Sequence, residues 1–196
     1  VVGGSHTPLF RCARVINAPF VRGIIADPCT RLTPTGHRLL SLFCDTLDTP
    51  LGTLTLEASE RGLSSIRFAN RPQPMVGKIA RSSVLKLAKR ELTAYFARQL
   101  RAFSVPLDWH GTAFQESVWQ ALTDIPYGET VSYADIARAI GRPRSARPTG
   151  GAVGRNPLPI IVPCHRVIGA DHTLTGFAGG LKIKVALLEL EGREVE

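Results

Sequence analysis

What this chain of 196 residues lacks narrows its class first. It has no apolar stretch approaching the ~18 consecutive residues of a membrane span, so no membrane partner is expected. Its four cysteines, Cys12, Cys29, Cys44 and Cys164, show neither a Cys-x-x-Cys pair nor a Cys/His metal spacing, so no metal site is expected. Arg11, Arg14 and Arg22 interrupt any apolar region near the start, which argues against a secretory signal. Reduced thiols and a cytoplasmic location are then the expectation. There is one methionine, Met75, and the sequence opens on Val1. That start reads as an incomplete N-terminus or as a non-standard start translated literally. There are no internal repeats. With 44% hydrophobic and 20% charged residues, the composition is neither disordered nor low-complexity. A chain of this length buries about 70% of the surface its unfolded form exposes, enough to fold without a disulfide or metal staple.

What is present is positive charge, unevenly spread. The net charge is +8, from 24 basic and 16 acidic residues. Residues 1–110 hold 15 basic and 7 acidic residues, while residues 111–196 hold 9 of each, so the whole excess lies in the first part. The balanced part nevertheless contains a window without Asp, Glu or Lys. From Ile136 to Ala170 the charged residues are six arginines: Arg138, Arg142, Arg144, Arg147, Arg155 and Arg166. Such a stripe attracts phosphates. The same residues also fit arginines pointing in different directions, some paired with distant acids, and the sequence leaves both open.

Residues 1–38 mix Gly, Pro and Arg without a sustained period and read as a poorly ordered extension. A small α/β unit is expected over 39–108. Strands are read at Ser41–Thr46, Thr53–Ala58 and Leu63–Phe68, with a turn at Ser59–Gly62. The recurrence of Leu85, Ala88, Leu92, Tyr95, Phe96 and Leu100 predicts a helix over Ser83–Leu100. Ala102–Leu107 reads as an edge strand in which Pro106 is tolerated. Residues 109–196 read as a mainly α domain. Thr112 and Gln115 form a capping-box signature, and Trp119 reads as core. Ser132 caps a helix ending at Gly141, and Ser145 caps another over Ala146–Val153, a helix-turn-helix pattern. A last helix spans Gly180–Leu190, with Leu181, Val185 and Leu188 inward and Gly192 as its stop.

The chemistry gathers at Ile160-Ile161-Val162-Pro163-Cys164-His165-Arg166-Val167. An apolar run, read as a buried strand, delivers a Cys beside a His and an Arg. A base or positive charge that favours the thiolate makes a cysteine nucleophilic. Pro163 suits a defined turn at the strand end. Adjacent residues need not face each other, and most unpaired cysteines are buried and inert, the reading given to Cys12, Cys29 and Cys44.

Pro163-Cys164-His165-Arg166-Val167, preceded by Arg155-Asn156-Pro157, resembles the active site of the O6-alkylguanine-DNA alkyltransferases. The similarity runs in order through Gly111-Thr112-x-Phe114-Gln115-x-x-Val118-Trp119 and Ile125-Pro126-Tyr127-Gly128-x-Thr130-x-Ser132-Tyr133. It continues at Gly176-x-x-Gly179-Gly180-Leu181 and closes at Leu188-x-x-Glu191-Gly192. The resemblance implies stoichiometric, irreversible transfer of an alkyl group from guanine O6 in DNA to Cys164. His165 would take the thiol proton through a water, and Glu191 would orient His165. Tyr133 would donate toward guanine N3, and Asn156 would order the turn before the nucleophile. The backbone carbonyls of Cys164 and Val167 would read the guanine amino group. Phe177 and Ala178 would line the pocket, and no cofactor is needed. A base buried in a duplex must be extruded. By the same resemblance the helix-turn-helix enters the minor groove of double-stranded DNA and Arg147 fills the vacated place. Thr149, Gly150, Gly151, Ala152 and Arg155 would complete the DNA-binding surface. The protein would act as a monomer, with cooperative binding along DNA left open, as is O4-alkylthymine as a second substrate.

The sequence departs from the family pattern at three places. Pro148-Thr149 stands where Ala-Val is typical, Phe177 where many members have Tyr, and Ala178 where many have Ser. Two other classes remain in view: a non-catalytic binder of alkylated DNA, resembling alkyltransferase-like proteins, and a cysteine hydrolase. The former lack the acceptor cysteine that this chain retains, and no feature of the sequence suggests an acyl substrate.

Overall fold

Alternation and turn chemistry build the first half as expected. In the computed structural model, which describes residues 43–70, 78–79 and 82–193, β1 (Phe43–Thr49) and β2 (Gly52–Ala58) form a hairpin, and β3 (Leu63–Phe68) continues the antiparallel meander. The extension expected over residues 1–38, the cysteines at 12 and 29, and the strand start at Ser41 lie outside the described residues. The described residues belong to one unit, Leu40–Glu196. The sheet also has a member that the sequence reading missed. β4 (Lys78–Ile79) pairs parallel to β1, so the order is β3-β2-β1-β4 and the sheet is not wholly antiparallel. Two residues are too short a run to show a period.

Helix α1 (Ser83–Phe96) lays Leu85, Ala88, Leu92 and Tyr95 on this sheet, against a core that includes Leu54, Leu56, Ile66 and Phe68. Each fully buried leucine, isoleucine or phenylalanine among them contributes roughly 1.5–3 kcal/mol. The helix stops one turn before the expected Leu100. Arg98 takes φ 59°, its N–H bonds to the Tyr95 carbonyl, and Gln99 N–H reaches back to Ala94, a Schellman closure. Leu100 still packs on the core, so the apolar period outruns the helix. The expected edge strand at Ala102–Leu107 is not one. Only Leu107 bridges β3, at Leu63. The buried carboxylate of Glu91 takes the Ser104 and Val105 N–H groups at 2.9 and 3.1 Å, and so removes donors that a ladder would use.

The second half is helical. The expected capping box forms, and the expected Ser132 cap proves to be a second one. Thr112 with Gln115 opens α2 (Ala113–Thr123), and Ser132 with Asp135 opens α3 (Tyr133–Ala139). Trp119 is core, its Nε1–H donating to the Ala152 carbonyl at 3.0 Å. α4 (Ala146–Val153) follows α3 as the second member of the helix-turn-helix. Ser145 occupies its N-cap position but makes no capping bond. The third helical residue is Pro148, which has no N–H to offer, and the Ser145 backbone is not extended. A two-stranded parallel ladder, β5 (Val131–Ser132) with β6 (Val167–Ile168), sets the start of α3 beside the chain that leaves the Cys-His-Arg segment. α5 (Leu181–Leu190) closes the unit, and Gly192 at φ 84° ends it. Its inward face differs from the expected one. Lys184, Leu187 and Leu188 are buried, whereas Leu181 is 47% exposed. Among the described residues no helix is long and apolar enough to cross a membrane.

Candidate active site

The segment before the nucleophile is buried, but it is not the expected strand. Proline at 157, 159 and 163 denies it a ladder, and Ile160 turns through φ 78°. Asn156 holds this turn from inside. Its Nδ2 donates to the Val162 carbonyl at 2.8 Å, and its Oδ1 accepts from Leu158 N–H at 2.9 Å. Cys164–Arg166 then forms a single 3₁₀ turn in which all three side chains are buried. Adjacent residues diverge on so tight a turn, which lets His165 and Arg166 both reach α5 while Cys164 keeps its own environment.

Glu191, at the end of α5, is where the site converges. His165 Nε2 lies 3.0 Å from Oε1. Arg166 grips the carboxylate with Nε on Oε2 and Nη2 on Oε1, each at 2.8 Å, and its Nη1 donates to the Ile125 carbonyl at 2.6 Å. Tyr95 O–H donates to Oε1 at 2.7 Å, and Gly128 N–H to Oε2 at 3.1 Å. Burial alone would raise the Glu191 pKa, but the hydrogen bonds from His165 and Arg166 and the charge of Arg166 outweigh it and hold the carboxyl well below the usual range. Arg166 neutralises Glu191, so His165 need not carry charge. Burial pushes His165 down from 6.5, further than Glu191 pulls it up. With Nε2–H committed to the carboxylate, Nδ1 is the basic nitrogen, and it is buried without a protein partner.

Burial pushes the Cys164 thiol up to about 11, against a hydrogen bond from the Asn156 side chain and the charge of Lys184. Lys184 was missed in the sequence, where helical spacing assigned the inward positions to leucines and valine. It is fully buried, and its Nζ donates to the carbonyls of Val167 at 2.6 Å and Thr175 at 3.0 Å. Burial lowers its pKa to about 8, while the nearby cysteine raises it. A thiolate at Cys164 would therefore meet a compensating cation. Tyr133, the first residue of α3, shares a hydrogen bond of 2.8 Å with Thr175 Oγ1, a partner the sequence did not reveal. The Val167 carbonyl accepts from Lys184, and the Cys164 carbonyl accepts from Val167 N–H. Phe177 stands edge-on to His165, with ring centroids 6.5 Å apart, and Phe177 and Ala178 are both half-buried.

The expected DNA-facing residues divide. Arg147, Gly151 and Arg155 are exposed, and Gly150 is half-buried with the Tyr133 ring nearby. Arg155 folds back so that Nη1 donates to the Gly151 carbonyl at 3.2 Å. Thr149 and Ala152, expected in the DNA-binding surface, instead turn inward and are buried. They belong to the helix's packing face because the period of α4 sets them opposite Arg147 and Gly151. The acid-free window is likewise not one stripe. Arg166 is buried on Glu191 and Arg138 pairs with Asp135, leaving Arg142, Arg144, Arg147 and Arg155 exposed.

Two cavities border the segment. One of about 330 Å³ lies between β3 and residues 154–159, with Ala178 on its wall. Another of about 580 Å³ is lined by Phe103, Trp109, Tyr127, Pro163 and Arg166 among others. Neither is lined by Cys164.

Comparison with known proteins matches two adjoining families. The family described as "6-O-methylguanine DNA methyltransferase, ribonuclease-like domain" matches residues 42–109, and "6-O-methylguanine DNA methyltransferase, DNA binding domain" matches residues 113–193. The chain is 47% identical over 154 residues to a methylated-DNA–protein-cysteine methyltransferase of Methanosarcina acetivorans, covering 74% of this chain and 95% of that one. It is 46% identical over 156 residues to the Mycobacterium leprae protein of the same name, covering 79% and 94%. Among solved structures, Mycobacterium tuberculosis OGT in complex with DNA matches with a TM-score of 0.72 at 48% identity, covering 76% of this chain and 92% of that one.

Proposed function

Because this chain belongs to the 6-O-methylguanine DNA methyltransferase family, we propose that Cys164 is the acceptor of the alkyl group and acts once per molecule. The protein binds DNA and repairs it as a methylated-DNA–protein-cysteine S-methyltransferase. The observation that carries the assignment of residues is the order Cys164, His165, Glu191, with Nε2 of the imidazole held by the carboxylate and Nδ1 left as its base. His165 Nδ1 takes the thiol proton through a water. The Cys164 sulfur attacks the alkyl carbon of O6-alkylguanine, a carbon–sulfur bond forms, and the carbon–oxygen bond breaks. The electron pair passes to guanine O6, and Tyr133 supplies a proton at N3 so that a neutral base leaves. The cation of Lys184 offsets the thiolate charge, and Arg166 holds Glu191 in place rather than touching substrate. The thioether that results has no leaving group for water to displace readily, so the protein does not turn over.

The substrate is reached by extruding the base from double-stranded DNA at a cost of a few kcal/mol. The chain binds as a monomer with α4 in the minor groove. Arg147 fills the vacated position, with Gly150 and Gly151 allowing close approach. Phe177, Ala178 and the Val167 carbonyl bound the pocket. A Cys164→Ala variant tests the acceptor. It is expected to take up no labelled methyl from an O6-methylguanine duplex while binding that duplex with wild-type affinity. Label on the variant would overturn the assignment. Wild-type binding without any transfer would instead favour the non-catalytic reading.

A further inference from the structure

The loop Phe177–Gly180, which carries the two residues assigned above to the pocket wall, is held from outside the helical half. Two residues at the end of the N-terminal sheet reach it. The Phe68 ring, last in β3, meets Phe177 edge-on with centroids 5.7 Å apart. Asn70 Nδ2 donates to the Gly179 carbonyl at 2.7 Å. The approach is close. A Cβ at Gly179 would come within 3.0 Å of both Phe68 and Phe177, so the loop backbone lies directly on the rings. Gly180, at φ 90°, is the N-cap of α5 and follows directly on this bond. From Phe177 the contacts continue to His165.

A loop with glycine at 176, 179 and 180 loses more backbone freedom on ordering than other sequences do. Within its own half its neighbours are anchored at Thr175, by Lys184, and at Phe177, whose carbonyl accepts from Gly180 N–H. Gly179 has its side-chain tie only through Asn70 among the described residues. Ala178, between these anchors, stands where the substrate would press.

We infer that Asn70, which lies in the turn after β3 and not in the alkyltransferase motifs, is a positioning residue for the alkylguanine pocket. Through Gly179 it holds the Phe177–Gly180 loop in register with Cys164 and His165. The inference rests on Cys164 being the acceptor. Phe68 supplies the apolar floor, and Asn70 supplies the directional bond that fixes the loop along it.

Hydrogen exchange of the peptide spanning 174–181, and saturation kinetics with free O6-benzylguanine and with an O6-methylguanine duplex, test this in Asn70→Ala and Asn70→Gln. Asn70→Ala is expected to speed exchange in that peptide. It should raise the half-saturating concentration of both substrates roughly fivefold, the effect of one lost hydrogen bond, and change the limiting rate less than about twofold. Asn70→Gln keeps an amide donor and should recover part of both losses. Affinity for undamaged duplex should not change, since α4 is untouched. Wild-type exchange and half-saturation in Asn70→Ala would overturn the inference. So would a uniform loss of thermal stability, duplex binding and rate in both variants. If the wild-type protein transfers no alkyl group, the acceptor assignment fails, and exchange alone decides whether Asn70 ties the loop.

Discussion

At the residue scale, the site is a balance of buried charges. Glu191 is neutralised by Arg166, so His165 can stay neutral and basic, and a cation at Lys184 faces the thiol. This balance has a defined acid limit. The folded chain holds His165 below its ordinary 6.5, so the unfolded chain takes up that proton first and stability falls as the pH drops below 6.5. Glu191 is held below its ordinary 4.5, so the unfolded chain again protonates first and a second loss begins below 4.5. Urea midpoints measured from about pH 7.5 to about pH 4 should decline in these two stages. Glu191→Ala should shrink the lower stage, to which Asp45 and Asp135 also contribute, and cost about 3–5 kcal/mol near neutrality, because it strands the buried Arg166 charge. A flat acid profile in the wild-type protein would contradict this arrangement.

At the scale of elements, local chemistry was legible and distant partners were not. β3 and both capping boxes fall where alternation and the Ser/Thr positions put them. Two of the misreadings share one cause, a polar side chain that takes backbone groups a regular element would use. Glu91 of α1 prevents a strand at Ala102–Leu107, and Asn156 makes a turn of the apolar run before Cys164. α4 carries a different irregularity. Thr149 is fully buried and its Oγ1 has no hydrogen-bond partner. An orphaned buried hydroxyl costs about 1–3 kcal/mol. Thr149→Val, which keeps the shape and removes the oxygen, should stabilise the protein by about 1 kcal/mol in urea denaturation. Destabilisation would mean that the hydroxyl is satisfied.

For the whole molecule, the positive charge proves to be sorted by depth as well as by sequence. Among the described residues of the acid-free window, Arg142, Arg144, Arg147 and Arg155 stay exposed, while Arg166 serves the interior. Each phosphate neutralised adds about −0.9 to the slope of log affinity against log salt. Arg147→Ala should therefore make that slope shallower by about 0.9 if it meets a phosphate, and leave it unchanged if it lies only in the base stack. In either case repair of duplex should fall more than reaction with free O6-benzylguanine. Equal losses on both would count against a role in base extrusion. The ordered motifs made Cys164, His165, Glu191, Tyr133 and Asn156 visible in the sequence. Tyr95, Thr175, Lys184 and Asn70 were not visible, because each reaches the site from a separate element and only the closed fold brings them together.

The most direct measurement is a titration of the protein with an O6-methylguanine duplex, followed by mass mapping of its peptides. Uptake should stop at one methyl group per chain, with the whole of it on Cys164. A methyl group on another residue, or continued turnover beyond one equivalent, would contradict a self-consuming acceptor at Cys164.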